Sequence, residues 1–230
     1  VASILSKKLA AGATHCVIDV PTGPTAKVRS PTDATALREL FLHVGEALGL
    51  VLDVHLTDGT APIGRGVGPA LEARDVVSVL RNDADAPADL CEKALTFAAS
   101  ILRFDPALRD DAEDRARTLL DSGAAYETLQ RIVAAQGKPD AETVIGRHAI
   151  EVTAGTDGTV DSVDCFALAG IARAAGAPAD KGAGIDLFAG PGTRVTPDAP
   201  LYRLHSSSAA GLDAAGARAA SDHAFRIRPA

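Results

Sequence analysis

The chain has 230 residues, enough to bury a sizeable core, a formal net charge of −7, and an aromatic content of only 3%. An acidic chain this poor in aromatics excludes a polyanion-binding or base-stacking surface, so no nucleic-acid partner is expected. No apolar run is long enough to cross a membrane, and no charged-then-apolar leader pattern is present, so no membrane partner is expected either.

Residues 2–11 have helix-forming composition, with Gly12 as a stop. The run "HCVIDV" (15–20) is β-branched and continuous, which reads as a strand buried on both faces. "PTGPTAKVRSPTD" is a Pro/Gly loop ending in an N-cap at Thr32 or Asp33, and "ATALRELFLHVGEALG" is a helix stopped by Gly49. A second buried strand, "LVLDVHLTDG" (50–59), completes a strand–helix–strand unit, which predicts a parallel pair in an α/β domain. A Gly-rich loop over 59–69 leads into the helix "ALEARDVVSVLR", and residues 87–136 read as three helices with breaks near Pro106 and Gly123. "QGKPDAE" (136–142) marks a boundary. Beyond it come two short strands around a Gly-Thr-Asp-Gly turn, a helix, Gly/Pro-broken strands, a further helix and a last strand, "HAFRIRP".

Cys16, Cys91 and Cys165 are widely spaced in apolar surroundings and read as reduced core cysteines of a cytoplasmic protein. The six histidines have no metal-ligand spacing, so no metal is expected from them. His205 precedes Ser206, Ser207 and Ser208, but no acid or glycine elbow accompanies them to make a hydrolase triad. Ser3 and Lys7 stand four apart, which on a helix puts hydroxyl and ammonium on one face, as a ligand pair for a carbonyl or anion or as a solvated surface. Residues 21–27 follow the first strand, at the edge where open α/β sheets bind ligands. Lys27 there is either a positive charge aimed at a ligand or a free lysine on a turn. Gly64, Gly66 and Gly68 allow close backbone approach but lack the pattern of a P-loop or a dinucleotide fingerprint.

Taken together, "SILSKKLAAG", the strand ending "IDV", "GPTAKV" and "TDGTAPIGRGVGPALEARDV" resemble the pyrimidine-nucleoside (thymidine) phosphorylase family, in the subgroup shared with AMP phosphorylases. "AGIARAAGAPADKGAGIDLFAGPGTRVTPDAPLYRLHSS" is similar to that family's small terminal domain. The resemblance implies an α/β fold: a partial parallel-sheet domain over 1–140, then a small hammerhead-like α+β domain over 141–230. It also implies reversible phosphorolysis of a nucleoside, with inorganic phosphate as co-substrate, no organic cofactor, and a homodimer when intact. By the family's pattern Ser3 and Lys7 hydrogen-bond the base, and Lys7 is catalytic because it counters charge on the departing pyrimidine. Lys27 matches a position where plain thymidine phosphorylases carry an aromatic and monophosphate-using members carry this lysine, in the nucleotide site. The family's phosphate-binding loop and all-α domain are expected upstream of Val1, so the chain reads as beginning partway through the enzyme. Some members hold a monovalent cation through two loop carbonyls and a carboxylate, at positions matching Ile63, Gly66 and Asp75; Asp75 is shorter than the family's Glu. Two other readings are a biotinyl- or lipoyl-type carrier module, for which Lys181 lies in a Gly/Ala loop after a helix instead of at a hairpin tip, and a non-catalytic scaffold.

Overall fold

A computed structural model describes residues 1–137 and 143–229. In chain order the elements are α1 (Ala2–Ala10), β1 (His15–Thr22), α2 (Pro31–Ala47), β2 (Val51–Asp58), β3 (Gly66–Val67), α3 (Pro69–Leu80), α4 (Ala88–Leu102), α5 (Ala112–Asp121) and α6 (Ala124–Gln136). They continue with β4 (His148–Thr153), β5 (Gly158–Val163), α7 (Cys165–Ala175), β6 (Gly184–Leu187), β7 (Arg194–Val195), β8 (Pro200–Ser206), α8 (Ala209–Ser221) and β9 (Phe225–Pro229). The chain is mixed α/β, with one parallel pair followed by antiparallel sheets. Two compact units result: Val1–Thr60 with Glu92–Leu119, and Ala61–Cys91 with Leu120–Ala230. The expected cut between 140 and 141 lies outside the described residues.

In the first unit β1 and β2 pair in parallel, from His15 opposite Val51 to Thr22 opposite Asp58. Period-two alternation sends Ile18, Val20 and Val54 to one face, where they are buried with Leu5, Phe41 and Leu50. The opposite face differs from the expectation of strands apolar on both sides. Asp19, Asp53, His55 and Thr57 line it as a polar layer bonded to one another and to α4. α2 starts two to three residues earlier than read from sequence, because Ser30 is the cap: its hydroxyl accepts the Asp33 N–H at 3.1 Å, with Pro31 at the first turn. Gly49, at φ +72°, ends the connection as expected.

The second unit contains a four-stranded sheet, order β3-β6-β8-β4, and a three-stranded one, order β7-β5-β9. The strands either side of the Gly-Thr-Asp-Gly turn therefore do not pair with each other. β3 lies in the stretch read as pure loop, and its two residues become a strand only by pairing with Ile185 and Asp186 of β6. That ladder joins residues 61–91 to the C-terminal strands. Leu168, Ile171, Ile185, Leu204, Val160 and Ala215, each at most 1% exposed, form its core. Asp164 caps α7 through the N–H groups of Phe166 and Ala167, and Ser208 caps α8 through that of Gly211. The three cysteines are free, as expected, and half-buried: Cys16 packs against the core of the first unit, while none is fully enclosed.

Asp180 clamps the turn before β6 to the end of β8. Its Oδ1 accepts from Ser207 Oγ at 2.7 Å and the Gly182 N–H at 3.0 Å, and its Oδ2 accepts the Ser207 N–H at 2.9 Å. Burial works to raise this carboxyl, but the Ser207 and Gly182 donors together hold it below the ordinary carboxylate range. Because the folded value is depressed, the clamp contributes fully above the ordinary carboxylate pKa and is lost as pH falls through the folded one. Asp180→Asn should therefore lower the urea midpoint at neutral pH, and the gap from wild type should close on acidification below about pH 3–4.

Candidate functional site

α1 is seated through one residue. Leu5 is fully buried in the core beneath β1 and β2. At roughly 100° per residue, Ser3 and Lys7 each lie about 160° from Leu5 and about 40° from one another. Burying Leu5 thus forces both outward on one face. Both are exposed, and neither side chain makes a hydrogen bond or ion pair among the described residues. Lys7 also sits in the last helical turn, where its charge complements the carbonyl ends.

The carboxyl ends of β1 and β2 are tied together by backbone. The Gly59 N–H donates to Thr22 O at 2.9 Å, the Gly23 N–H to Val28 O at 3.1 Å, and the Ala26 N–H to Gly23 O at 3.0 Å. This closes the 23–27 loop into a tight turn with Lys27 exposed on it, unpaired among the described residues. The Thr25 hydroxyl is buried in the same loop without a partner. Gly23 is required by contact: a Cβ there would stand 2.5 Å from Gly59 O and 2.9 Å from Thr60 N.

Under this edge lies a trio that sequence spacing did not reveal. Thr57 Oγ1 donates to Asp19 Oδ1 at 2.6 Å, Lys93 Nζ pairs with Asp19 Oδ2 at 2.7 Å, and the same Nζ donates to Thr57 Oγ1 at 3.2 Å. Their positions, 19, 57 and 93, are too far apart in sequence for any local pattern to link them. Lys93 is thereby neutralised, whereas Lys7 and Lys27 keep their charge available. Beside the trio, His55 Nε2 is shared between Asp53 Oδ2 at 3.0 Å and the buried Ser100 Oγ at 2.8 Å. Serine and aspartate meet the same ring nitrogen, so this group is no triad, in which they must occupy opposite nitrogens. The His205 neighbourhood is no triad either: Ser206 is fully buried and donates to Ala175 O at 2.7 Å.

The matched cation positions lie in the second unit. Asp75 is 2% exposed. Its Oδ2 accepts the N–H groups of Arg65 and Gly66, both at 2.7 Å, and its Oδ1 accepts Arg74 Nε at 3.1 Å and Nη2 at 2.8 Å. A carboxylate has about four lone-pair positions, and all are occupied by donors, so this residue does not fit a metal-ligand role. Among the described residues no cluster of three or more His, Cys, Asp or Glu could hold a metal ion. A cavity of about 500 Å³ in the same unit is lined by Pro62, Arg65, Asp89, Leu187 and Phe188.

Residues 159–225 match the family described as pyrimidine nucleoside phosphorylase C-terminal domain. Over 98% of its length the chain is 53% identical to a Bradyrhizobium protein named "Putative thymidine phosphorylase", covering 44% of that protein. A protein of the same name from Nitrobacter hamburgensis is 53% identical over 94% of the chain and 43% of its own length. A bifunctional ribose 1,5-bisphosphokinase-thymidine phosphorylase from Azorhizobium caulinodans is 55% identical over 95% of the chain and 32% of its own length. The chain thus spans less than half the length of these relatives.

Gly23→Ala should force the two strand-end loops apart. The overpacking should cost about 1–3 kcal/mol, read as a lower denaturant midpoint with an unchanged m-value.

Proposed function

We infer that this chain, which belongs to the pyrimidine nucleoside phosphorylase family, carries base-binding residues of an enzyme that converts thymidine and phosphate to thymine and 2-deoxyribose 1-phosphate. The observation that carries this reading is the unpaired Ser3–Lys7 pair displayed on the outer face of α1. In the reaction the bond from C1′ to the base nitrogen breaks, and a phosphate oxygen bonds C1′. The base leaves with the electron pair of its bond. Lys7, an exposed ammonium, stabilises that developing charge, and Ser3 holds the base by hydrogen bonding. Phosphate is the co-substrate, and positioning it supplies much of the remaining rate. The enzyme is proposed to be cytoplasmic, in keeping with free Cys16, Cys91 and Cys165, and homodimeric, on family resemblance.

A second reading, a nucleoside 5′-monophosphate such as AMP as substrate, is favoured by Lys27. Its unpaired ammonium on the strand-end loop suits a substrate phosphate, which an aromatic would not. The name of the Azorhizobium relative bears on the same point. Phosphorolysis of a ribonucleoside 5′-monophosphate releases ribose 1,5-bisphosphate, the sugar in that name, whereas thymidine releases 2-deoxyribose 1-phosphate.

The kinetics of the intact enzyme separate the two. Lys7→Ala should lower kcat and kcat/KM together by about 30- to 1000-fold, the loss of a charged contact of roughly 2–4 kcal/mol present mainly in the transition state. If a 5′-phosphate is bound, Lys27→Ala should mainly raise KM for AMP and leave thymidine turnover nearly unchanged. If thymidine is the substrate, wild-type enzyme should use AMP poorly. Equal, small effects of both variants on every substrate would overturn the placement of the site.

The 230-residue chain by itself is expected to release no thymine from thymidine and phosphate. Its sequence has no P-loop pattern to cradle the phosphate, and lost positioning of a nucleophile is worth on the order of 7–11 kcal/mol. Phosphate-dependent thymine release by the purified chain would refute this.

A further inference from the structure

The loop preceding α3 is organised around a buried charge. The carbonyl of Arg65 accepts the Leu187 N–H at 2.8 Å, Gly66 and Val67 pair with β6, and the N–H groups of Arg65 and Gly66 both point at Asp75. A Cβ at Gly66 would stand 2.4 Å from the Leu71 backbone, so the loop lies hard against α3. The second oxygen of Asp75 is held by the guanidinium of the neighbouring Arg74, which also grips Asp186 of β6. Nη1 meets Oδ2 and Nη2 meets Oδ1, each at 2.8 Å. One planar cation therefore bridges two carboxylates, one on α3 and one on β6, with the loop between them. Hydrogen bonding to Asp186 foremost, and to Asp75 as well, pushes Arg74 still further above its ordinary range despite partial burial.

A monovalent metal ion at Ile63, Gly66 and Asp75, as the family resemblance implies, needs oxygen lone pairs directed at it. Asp75 has spent its own on four donors. Gly66 turns its N–H, not its carbonyl, to the carboxylate. An ion there would also face the Arg74 guanidinium across a short carboxylate, which has no length to spare for both. A guanidinium, unlike a hydrated alkali ion, remains attached and donates in fixed directions.

We propose that the Arg74 guanidinium is the resident cation of this loop, standing in for a monovalent metal ion, so that residues 61–68 keep their shape without potassium or sodium. The proposal is independent of which nucleoside the enzyme uses. The test is thermal unfolding of the protein in KCl, NaCl and choline chloride at equal ionic strength, with calorimetric titration of thallium(I) as a direct probe for a monovalent site. The expected result is one Tm in all three salts and no saturable thallium binding. Arg74→Met should lower Tm by roughly 6–20 °C, the scale for stripping one partner from a buried ion pair in a chain of this size. A higher wild-type Tm in KCl or NaCl than in choline chloride would overturn the proposal. So would stoichiometric thallium binding abolished by Asp75→Asn, or an Arg74→Met protein that melts with wild type. If Arg74→Met does not fold, the wild-type salt comparison decides alone.

Discussion

A carboxylate removed from water must be answered where it sits, and Asp75 imposes that requirement on the second unit. At 2% exposure it would be prohibitive as an isolated charge. Its two backbone donors dictate the course of the Gly-rich loop, and its guanidinium partner links α3 to β6 through Asp186. The two-residue strand β3, too short to form by itself, follows from that arrangement: with the loop held to Asp75, Gly66 and Val67 run alongside β6. Such a cluster favours one arrangement chiefly because its half-satisfied versions are costly.

The first unit applies the same logic to a sheet. Two parallel strands expose two faces, and only one is apolar. On the other, Asp19, Thr57 and Lys93 satisfy one another, while Asp53, His55 and Ser100 form a second set. The polar layer leaves the strand ends locked and the loops above them defined. Ser3 and Lys7 face outward for a different reason, the burial of Leu5 between them. Positioning is thus done by half-buried residues that satisfy one another, and the groups available for chemistry are those left without partners.

Much of this was legible from local pattern. The β-branched runs locate β1 and β2, their short helical connection implies parallel pairing, and the breaks near Pro106 and Gly123 divide residues 87–136 into three helices. Ser3 and Lys7 share a face by helical period alone. The cap of α2 was misread because serine, threonine and aspartate crowd the same stretch, and only the backbone dihedrals and the Asp33 N–H select Ser30. Apolar neighbours in sequence point the cysteines toward a core, and Cys16 does pack against one, but the degree of burial is set by neighbours in space, which leave all three half-buried.

Short-range properties follow from the order of residues: where helices and strands lie, which residues share a face, and which glycines and prolines break the chain. Tertiary structure alone decided that residues 61–91 join the C-terminal strands, that β4 and β5 enter different sheets, and that Asp19 meets Thr57 and Lys93. It also decided that Asp75, which the family resemblance matches to a cation-holding carboxylate, is closed by Arg74 and two backbone amides. The reason is physical. Periodicity encodes which way a side chain points, but the partner that satisfies a buried polar group is chosen by what the fold brings within about 3 Å of it, often from a distant part of the chain.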